Sequence, residues 1–572
     1  MKYTEKFARP GRWLPTMALC GALAACGGGG GDPTPTGPTV AALALSGTAA
    51  TGAAIAGQSV EAKCASGSGS ATSAADGSFT INIAAAALPC LLRVTAADNT
   101  VLHSLAAGSG ASLVANITPL THLVVAAVAA GDPAAFYAAF STGTAGSVTT
   151  TSAAAAIASV VAKLKAAGVD PTPLGNLLTA SLVAANGSTV GNAYDVLLDA
   201  LKAKLTGSGT TLVQLTQAVV TEAKAAADPT LASGTPSLPS DLLLQPAAST
   251  CTALRSGVYR VVQLYAGAGS VATGTITVNA STLSISNSTD TWSWTANGAC
   301  RFSGNTGEDI LVSQAGVLVA RDHNLSTDPF HLTVGFPEQA HTLAELAGNW
   351  NKLGFGKSGT TFTPDAASAT LDGSGAASAV RFCADVKTCV DQTGNPITLS
   401  VNPAGGFDRS FSDGSPSDRA FAYRAGGGEL MLVTIAADGS FGFWTHQRTN
   451  ALPVVGTTNT SWDFEENNLL VSTAVMSAST NTILSVDAAT GAFTRQNSTA
   501  TAGVTRTESL TANSPRPGYR YRGAATVPLS NGGTQTVREQ VTLTLRGMGM
   551  TPVAYLSTTA AAFGLSIAPP AP

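Results

Sequence analysis

Acid-base or nucleophilic chemistry in this chain would have to use one of its six histidines, which stand at positions 103, 122, 323, 331, 341 and 446. A serine hydrolase places such a histidine between a hydroxyl and a carboxylate. The densest polar segment around a histidine is 321–324, with the sequence Arg-Asp-His-Asn. That segment fits a catalytic or metal-binding loop, but a solvated hairpin turn is the favoured interpretation. A periplasmic or surface hydrolase with its site around Asp322, His323 or His446 is therefore the alternative prediction.

Two acidic patterns are further candidates for chemistry. Asp408, Asp413 and Asp418 lie among glycines and serines, yet their five-residue spacing lacks the alternation of calcium loops, so a plain polar loop is favoured. Glu465 and Glu466 raise the question of a paired-carboxylate glycosidase site. Adjacent residues of a strand face opposite sides, so these two could not flank one glycosidic bond. No catalytic residue, metal site or cofactor is predicted.

An aromatic pair offers binding rather than catalysis. Trp292 and Trp294 are two residues apart, so in a strand both rings lie on one face. If exposed, the pair could stack on sugar rings. If buried, it would fill the core of a barrel or sandwich, which is the more common place for tryptophan. The sequence leaves both interpretations open.

The elements that position these residues are β-strands. From Cys251 onward, aromatic and β-branched residues alternate with polar ones in short runs separated by Gly, Asn, Asp and Ser. Such runs predict roughly fifteen to twenty strands in sandwiches or barrels. We divide them into two β-rich modules, 250–340 and 341–572. In the second, Gly348-Asn349-Trp350 resembles the Gly-x-Trp opening of lipocalin-like barrels, in which the tryptophan closes one end of the barrel.

The amino terminus carries the most specific pattern in the chain. Four basic residues among the first twelve precede an apolar run of about a dozen residues, which is too short to span a membrane. This arrangement predicts an export signal peptide over residues 1–25. The run ends in Leu23-Ala24-Ala25-Cys26, which resembles the lipobox of bacterial lipoproteins.

The lipobox resemblance implies that signal peptidase cuts before Cys26 and that Cys26 carries the lipid. Several acyl chains anchor a protein stably to a membrane. Gly27 stands where an Asp often retains Gram-negative lipoproteins in the inner membrane, so the outer membrane is favoured. Residues 26–39 are rich in Gly and Pro and predict a flexible tether. We therefore expect a lipid-anchored protein of the cell envelope.

Cysteine usage agrees with an oxidising compartment. Cys20 leaves with the signal and Cys26 carries lipid, so an even number of cysteines remains. Pairing these in sequence order places each bond inside one predicted region. We predict three disulfides, Cys64–Cys90, Cys251–Cys300 and Cys383–Cys389. Zinc is disfavoured at the last pair because neither histidine nor further cysteine lies nearby.

Composition limits the possible partners. Only 11% of the residues are charged, against ~25% in typical soluble domains, and the net charge of −4 is spread without acidic or basic blocks. Such a chain has no electrostatic footprint for nucleic acid, which is excluded as a partner. Apart from the membrane reached through the lipid, an envelope protein or a glycan remains open as the ligand.

The segment 40–116 follows the tether and alternates as strands. Asp76-Gly77-Ser78-Phe79 marks a hairpin, because glycine accepts the positive φ of a tight turn. Together with Ser46-Gly47-Thr48, this motif resembles the carboxypeptidase regulatory-like domain. The resemblance implies a small transthyretin-like β-sandwich that serves as a stalk or interaction module and carries no chemistry.

Two further segments precede the β-rich modules. Residues 117–227 are rich in alanine with helical periodicity, and we predict helices that include residues 174–185 and a structural role for His122. Residues 228–249 contain four prolines and predict a linker. The expected fold is therefore multidomain and mainly β: a small β-sandwich, an α-helical segment, and a large all-β region of sandwich or barrel type. The expected function is a non-enzymatic binding or structural role.

Overall fold

The computed structural model describes residues 42–187, 189–228, 234–264, 273–305, 307–322, 331–358, 361–383, 386–392, 397–411, 418–467, 474–499, 504–556 and 562–568. The predicted signal peptide, the lipobox with Cys26, and the tether lie outside these residues. The architecture runs from a β-sandwich through helices into three curved sheets.

The first element is a two-layer β-sandwich, as predicted for this part of the chain. One layer has the strand order β4-β1-β7 and the other the order β3-β2-β5-β6, counted along the chain. Phe79, Ile81 and Ile83 alternate along one strand and fill the space between the layers. The seven strands are β1 (Leu43–Thr48), β2 (Ser59–Ser66), β3 (Ser68–Thr72), β4 (Ser78–Ile83), β5 (Ala87–Thr95), β6 (Val101–Ala106) and β7 (Ser112–Val114).

Helices follow, and local sequence sets their ends. Thr118, Thr149 and Thr211 each accept a hydrogen bond from the backbone N–H three residues later, which completes a capping box. The helices are α1 (Pro119–Ala129), α2 (Pro133–Ala139), α3 (Thr150–Ala166), α4 (Ala193–Ser208) and α5 (Leu212–Ala227), with 3-10 turns at Ala145–Ser147, Thr172–Leu174, Leu242–Leu244 and Leu343–Leu346. In the described part of the chain no single helix has the length and apolarity to cross a membrane, and one pair bent by 66°, α1 with α2, meets that test jointly by length and composition alone.

Residues 174–185 do not form the predicted helix. Beyond the 3-10 turn they run in an irregular path beside the sandwich. The backbone N–H of Asn116 donates to the Leu178 carbonyl, and the Asn116 side chain donates to the Ala180 carbonyl. Leu177 and Leu182 are buried among the helices all the same. Hydrogen bonds to the sandwich thus replace the helical ones that the alanine content favoured.

The described part of the predicted linker is docked on its neighbours. The backbone N–H of Ser240 donates to the Glu222 carboxylate of α5 at 2.7 Å, and Leu244 is buried in the helical core. Two short strands then pair with each other, β8 (Ala247–Ala248) and β9 (Cys251–Arg255).

The first barrel is a closed antiparallel barrel in which each strand pairs with the next and the last pairs with the first. Its strands are β10 (Gly257–Leu264), β11 (Thr273–Asn279), β12 (Ser284–Ser286), β13 (Thr291–Gly298), β14 (Arg301–Gly304), β15 (Asp309–Val312), β16 (Leu318–Asp322) and β17 (His331–Pro337).

The central sheet follows, with nine strands in the order β21-β20-β19-β18-β26-β25-β24-β23-β22. A bridge between Ala376 and Thr398 joins the outer parts of the sheet and curls it almost into a barrel. Trp350 is fully buried on the concave face, where its indole N–H donates to the Leu346 carbonyl. The strands are β18 (Gly348–Ser358), β19 (Thr361–Leu371), β20 (Ala377–Cys383), β21 (Val390–Asp391), β22 (Ile397–Val401), β23 (Phe407–Phe411), β24 (Asp418–Arg424), β25 (Leu430–Ile435) and β26 (Phe441–His446).

The second barrel is closed by β27-β28-β29-β30-β31-β34-β35-β36, and β32 with β33 form a separate hairpin. The predicted module 341–572 therefore contains two large sheets. The strands are β27 (Thr458–Asn467), β28 (Ala474–Val486), β29 (Ala492–Thr499), β30 (Thr505–Ala512), β31 (Tyr519–Arg522), β32 (Ala525–Pro528), β33 (Thr534–Val537), β34 (Gln540–Leu543), β35 (Met550–Tyr555) and β36 (Ala562–Ile567).

A single apolar core joins the three sheets, and we call it the central core. Phe336 of the first barrel packs on Tyr423 of the central sheet, and Phe563 of the second barrel stacks on Phe443. All six residues of β25 are buried, because the central core covers one face of the strand and the interior of the central sheet covers the other. The fold is mainly β, as the sequence predicted.

Candidate functional site

The lumen of the first barrel contains a cavity of about 690 Å³. This volume falls within the ~300–1,000 Å³ typical of small-molecule sites. Strand pairing aligns the inward positions: Val261 lies opposite Gly274, Ile285 opposite Trp292, and Ile310 opposite Ala320. Each of these residues lines the cavity.

Small residues at inward positions explain why this barrel is hollow. The interior of an eight-stranded barrel is normally just filled by its side chains. Here Gly274, Gly304 and Gly335 line the lumen, and a Cβ placed at Gly274 would meet no atom within 4 Å. The side chain omitted at Gly274 therefore leaves open space, whereas a Cβ at Gly304 would meet the Glu308 carboxylate and one at Gly335 would touch Leu318 and Val261.

One end of the lumen is sealed by apolar side chains. Tyr259, Val278 and Phe302 are buried there, and the Tyr259 hydroxyl donates to the Arg255 carbonyl at 2.9 Å. The disulfide Cys251–Cys300 ties β9 to the turn after β13 at this end. The cavity is therefore a cup with a covalently braced floor.

Trp292 and Trp294 lie on one face of β13, as their spacing predicted, and both line the cavity. Trp294 is 8% exposed and packs on Phe302 with ring centroids 5.9 Å apart. Trp292, one step farther from the floor, is half-buried and lies beside the cavity. The structure thus assigns one tryptophan to the floor and the other to the wall.

Polar groups line the rest of the cavity. The side chains involved carry amides, a carboxylate and hydroxyls, and they come from Gln263, Asn287, Asn305, Glu308 and Thr333. The hydroxyl oxygen of Thr333 is buried and has no hydrogen-bond partner among the residues that the structure describes. An apolar wall with scattered hydrogen-bonding groups suits an amphipathic ligand.

The other two disulfides join Cys64 to Cys90 and Cys383 to Cys389, so all three pairs are those that sequence order predicted. Cys64 and Cys90 face each other on β2 and β5. The second pair lies at one side of the central sheet, where the guanidinium of Arg516 donates toward both sulfurs at 2.5 and 2.8 Å.

His446 does not form a catalytic triad in this structure. Its ring lies 4.1 Å from that of Trp350, and within the described chain its Nε2 is buried without a hydrogen-bond partner. Burial and the nearby charges of Arg448 and Arg424 lower its pKa to about 4. His323 lies outside the described residues, as does the side chain of Asp322.

His122 packs against His103 at the contact between α1 and β6, in line with its predicted structural role. Their Nδ1 atoms are 3.3 Å apart. Burial lowers the pKa of both rings to about 4, and for His103 the charge of His122 adds to the effect. Two neutral rings therefore share this contact at neutral pH.

The acidic patterns do not converge on a cation. Asp408 pairs with Arg419 at 3.2 Å, and Asp418 pairs with Arg409, while Asp413 lies outside the described residues. Over the described ranges, no group of three or more His, Cys, Asp or Glu side chains is arranged to hold a metal ion. Glu465 and Glu466 are consecutive in β27, and their side chains are outside the described set.

No protein family and no curated protein matches the chain. Among solved structures, it is similar to a protein of unknown function from the DUF3598 family of Nostoc punctiforme, at 12% identity and a TM-score of 0.16, over 40% of this chain and 98% of the other. It is also similar to two mutants of transferrin binding protein B from Haemophilus parasuis, at 6% and 8% identity and TM-scores of 0.15 and 0.14, over 55% of this chain and 75% of the other. TM-scores this low support no inference about fold or function.

The sequence pointed to the tryptophan pair but not to the cavity. The missing signal was glycine at inward positions of three separate strands, namely Gly274 of β11, Gly304 of β14 and Gly335 of β17. Each lies in a run in which polar and apolar residues alternate, so the sequence alone does not distinguish it from an ordinary glycine of a strand or turn. Their shared significance depends on strand register, which a single sequence does not specify.

Proposed function

We propose that this protein is a lipid-anchored protein of the cell envelope that binds a short saccharide in the first barrel without transforming it. The observation that carries the proposal is the cavity of about 690 Å³ with Trp292 on its wall and Trp294 at its floor. Indole faces stack on the apolar face of a sugar ring, while amide, carboxylate and hydroxyl groups hydrogen-bond the sugar hydroxyls. The chain offers both kinds of group in one cup.

A non-enzymatic role fits the chemistry of this cavity. Its lining includes one carboxylate, Glu308, and neither histidine nor lysine among the described residues. Glycoside hydrolysis commonly uses a pair of carboxyl groups, one as acid and one as base or nucleophile. The polar groups present suit recognition of hydroxyls better than bond cleavage.

The saccharide is tested by titrating the protein with soluble oligosaccharides of bacterial envelopes and following tryptophan fluorescence and calorimetric heat. We expect saturable binding that Trp292→Ala weakens by about tenfold or more, because a buried aromatic anchor dominates a small site. Trp462→Ala is the matched control, since Trp462 lies under the guanidinium of Arg301 outside the cavity. Equal affinity in Trp292→Ala and wild type would refute the site.

Membrane attachment is tested separately. The proposal rests on the lipobox resemblance at residues 23–26, the short apolar run before it and the Gly- and Pro-rich tether after it. Cells that express the protein should incorporate labelled palmitate, and Cys26→Ala should abolish the label and release the protein from membranes. Unchanged labelling in Cys26→Ala contradicts the anchor but leaves the saccharide site untouched.

A further inference from the structure

The lumen of the second barrel contains several charged side chains, whereas the described lining of the first contains one, Glu308. Tyr519, Val541 and Leu543 pack into the central core, so the residues that alternate with them face the lumen. These include Arg520 and Arg522 of β31. The same alternation places Glu508 and Arg495, which pair with each other across β29 and β30, on the lumen side.

The Glu508 carboxylate binds three arginines in this lumen. It is fully buried, and its carboxylate accepts hydrogen bonds from Arg495 at 2.7 Å, Arg506 at 2.6 Å and Arg522 at 2.7 Å. Three positive charges therefore share one negative charge. Asp463, a second carboxylate of the lumen, accepts hydrogen bonds from Ser461 and Ser479 instead.

Arg520 adds a fourth positive charge. Its Nε is buried and has no hydrogen-bond partner in the described chain. Burial and the like charges of Arg495 and Arg546 lower its pKa. Arg520 is partly buried, and a cation whose Nε is buried beside other cations without a counter-charge is unfavourable.

A second polar group without a hydrogen-bond partner among the described residues, the Thr544 hydroxyl, lies just after the neighbouring strand β34. Thr544 stands between Leu543 and Leu545, both of which pack into the central core, so its hydroxyl faces the lumen. Thr542 faces the same side and is the register partner of Arg520. Within the described residues the Thr544 hydroxyl is buried and unpartnered. A guanidinium N–H and a hydroxyl therefore both lack an acceptor in one part of the lumen.

Below these groups the barrel is closed by an apolar floor. Phe493, Leu510 and Ala512 pack there with Leu452, and Ala512 is the register partner of Arg520. Apolar surroundings strengthen the attraction between a cation and an anion by lowering the local dielectric constant. An anion at this level would thus be held more tightly than at the surface.

We propose that a small oxyanion of the phosphate, sulfate or carboxylate class binds in the second barrel between Arg520 and Thr544. Guanidinium groups match the geometry of such oxygens, and the threonine hydroxyl donates a further hydrogen bond. The anion supplies the negative charge that Glu508 alone does not. This site is independent of the saccharide cup in the first barrel.

The test titrates the purified protein with inorganic phosphate in chloride buffers of constant ionic strength, by calorimetry and by thermal melting. We expect phosphate to bind and to raise Tm by about 2 °C. Arg520→Met should weaken phosphate binding by about tenfold or more. In chloride alone it should melt no lower than wild type, because the substitution removes a partly buried charge that has no counter-charge in the described part of the chain.

Thr544→Val provides a second variant of nearly equal volume, and we expect it to weaken phosphate binding about threefold. Arg381→Met is the matched control, since Arg381 pairs with Asp391 at the surface, where its side chain is 52% exposed. This control should keep the full phosphate response. The proposal is overturned if wild type binds neither phosphate, sulfate nor acetate, or if Arg520→Met or Thr544→Val binds phosphate as wild type does. A Tm of Arg520→Met far below wild type in chloride would also overturn it, because Arg520 would then be a structural residue.

Discussion

Glu508 shows how the surroundings of one residue decide its charge. Burial alone would raise the pKa of this carboxyl, but Arg495, Arg522 and Arg506 act in the opposite direction and prevail, so the pKa falls to about 2. Its ordinary value is 4.5. The carboxylate stays ionised over the whole physiological range and holds three strands of the second barrel together.

Replacing Glu508 by Gln should therefore lower the free energy of unfolding by about 3–5 kcal/mol, because the buried Arg522 and the partly buried Arg495 and Arg506 lose their common partner. Urea denaturation at neutral pH measures this loss. Glu61→Gln is the control: Glu61 pairs with Arg93 where both side chains are more than 40% exposed, so we expect a loss below about 1 kcal/mol. A similar loss in both variants would contradict the central role of Glu508.

The pH dependence of the same variant has a definite sign. Because the pKa is lower in the folded state, the stabilisation is complete above about pH 4.5 and disappears as the pH falls toward 2. Wild type should lose this stabilisation as the pH falls from about 4.5 toward 2, whereas Glu508→Gln lacks the stabilisation at every pH. The difference in stability between the two proteins should shrink on acidification.

Packing between elements depends on a different kind of buried group. His103 of β6 and His122 of α1 bring the sandwich and the helices together, and the Thr121 hydroxyl donates to the His103 carbonyl at the same contact. Both rings have a pKa of about 4 in the folded state against an ordinary 6.5. Between these values the unfolded chain binds protons that the folded chain does not.

We expect the contact between α1 and β6 to weaken as the pH falls from about 6.5 to about 4, by up to about 1.4 kcal/mol per histidine for each pH unit. Amide hydrogen exchange of the two elements, corrected for the intrinsic exchange rate, measures this. His122→Gln should reduce the pH dependence. His341→Gln, which changes a histidine outside this contact, should leave the pH dependence intact. An unchanged pH dependence in His122→Gln would show that the histidine pair does not cause the weakening.

At the scale of the whole molecule, the sequence predicted the order of sandwich, helices and β-rich region, because periodicity is local. Alternation also put Trp292 and Trp294 on one face. It did not say which face of a strand is inside: Arg520 and Tyr519 alternate as surface and core would, yet Tyr519 is fully buried and Arg520 is itself partly buried. Likewise, β18 pairs with β26 about ninety residues away, and the local sequence of neither strand indicates that partner.

The central core makes the three sheets depend on one another. Phe563 of β36 is surrounded by aromatic rings of the central sheet, with centroids 5.1 Å from Phe441, 5.5 Å from Phe355 and 6.0 Å from Phe443. It is 1% exposed. The buried aromatic ring of Phe563 therefore binds the second barrel to the central sheet through apolar contact.

Phe563→Ala should consequently cost about 3–5 kcal/mol and uncouple the second barrel from the central sheet. In wild type, hydrogen exchange at increasing denaturant should give β34–β36 and β18–β26 a common unfolding midpoint. In Phe563→Ala the midpoint of β34–β36 should fall below that of β18–β26. Phe493→Ala is the matched control, because Phe493 is also buried in the second barrel but belongs to the floor of its lumen, so both midpoints should fall together. Separate midpoints in wild type, or a joint shift in Phe563→Ala, would show that the central core does not carry the coupling.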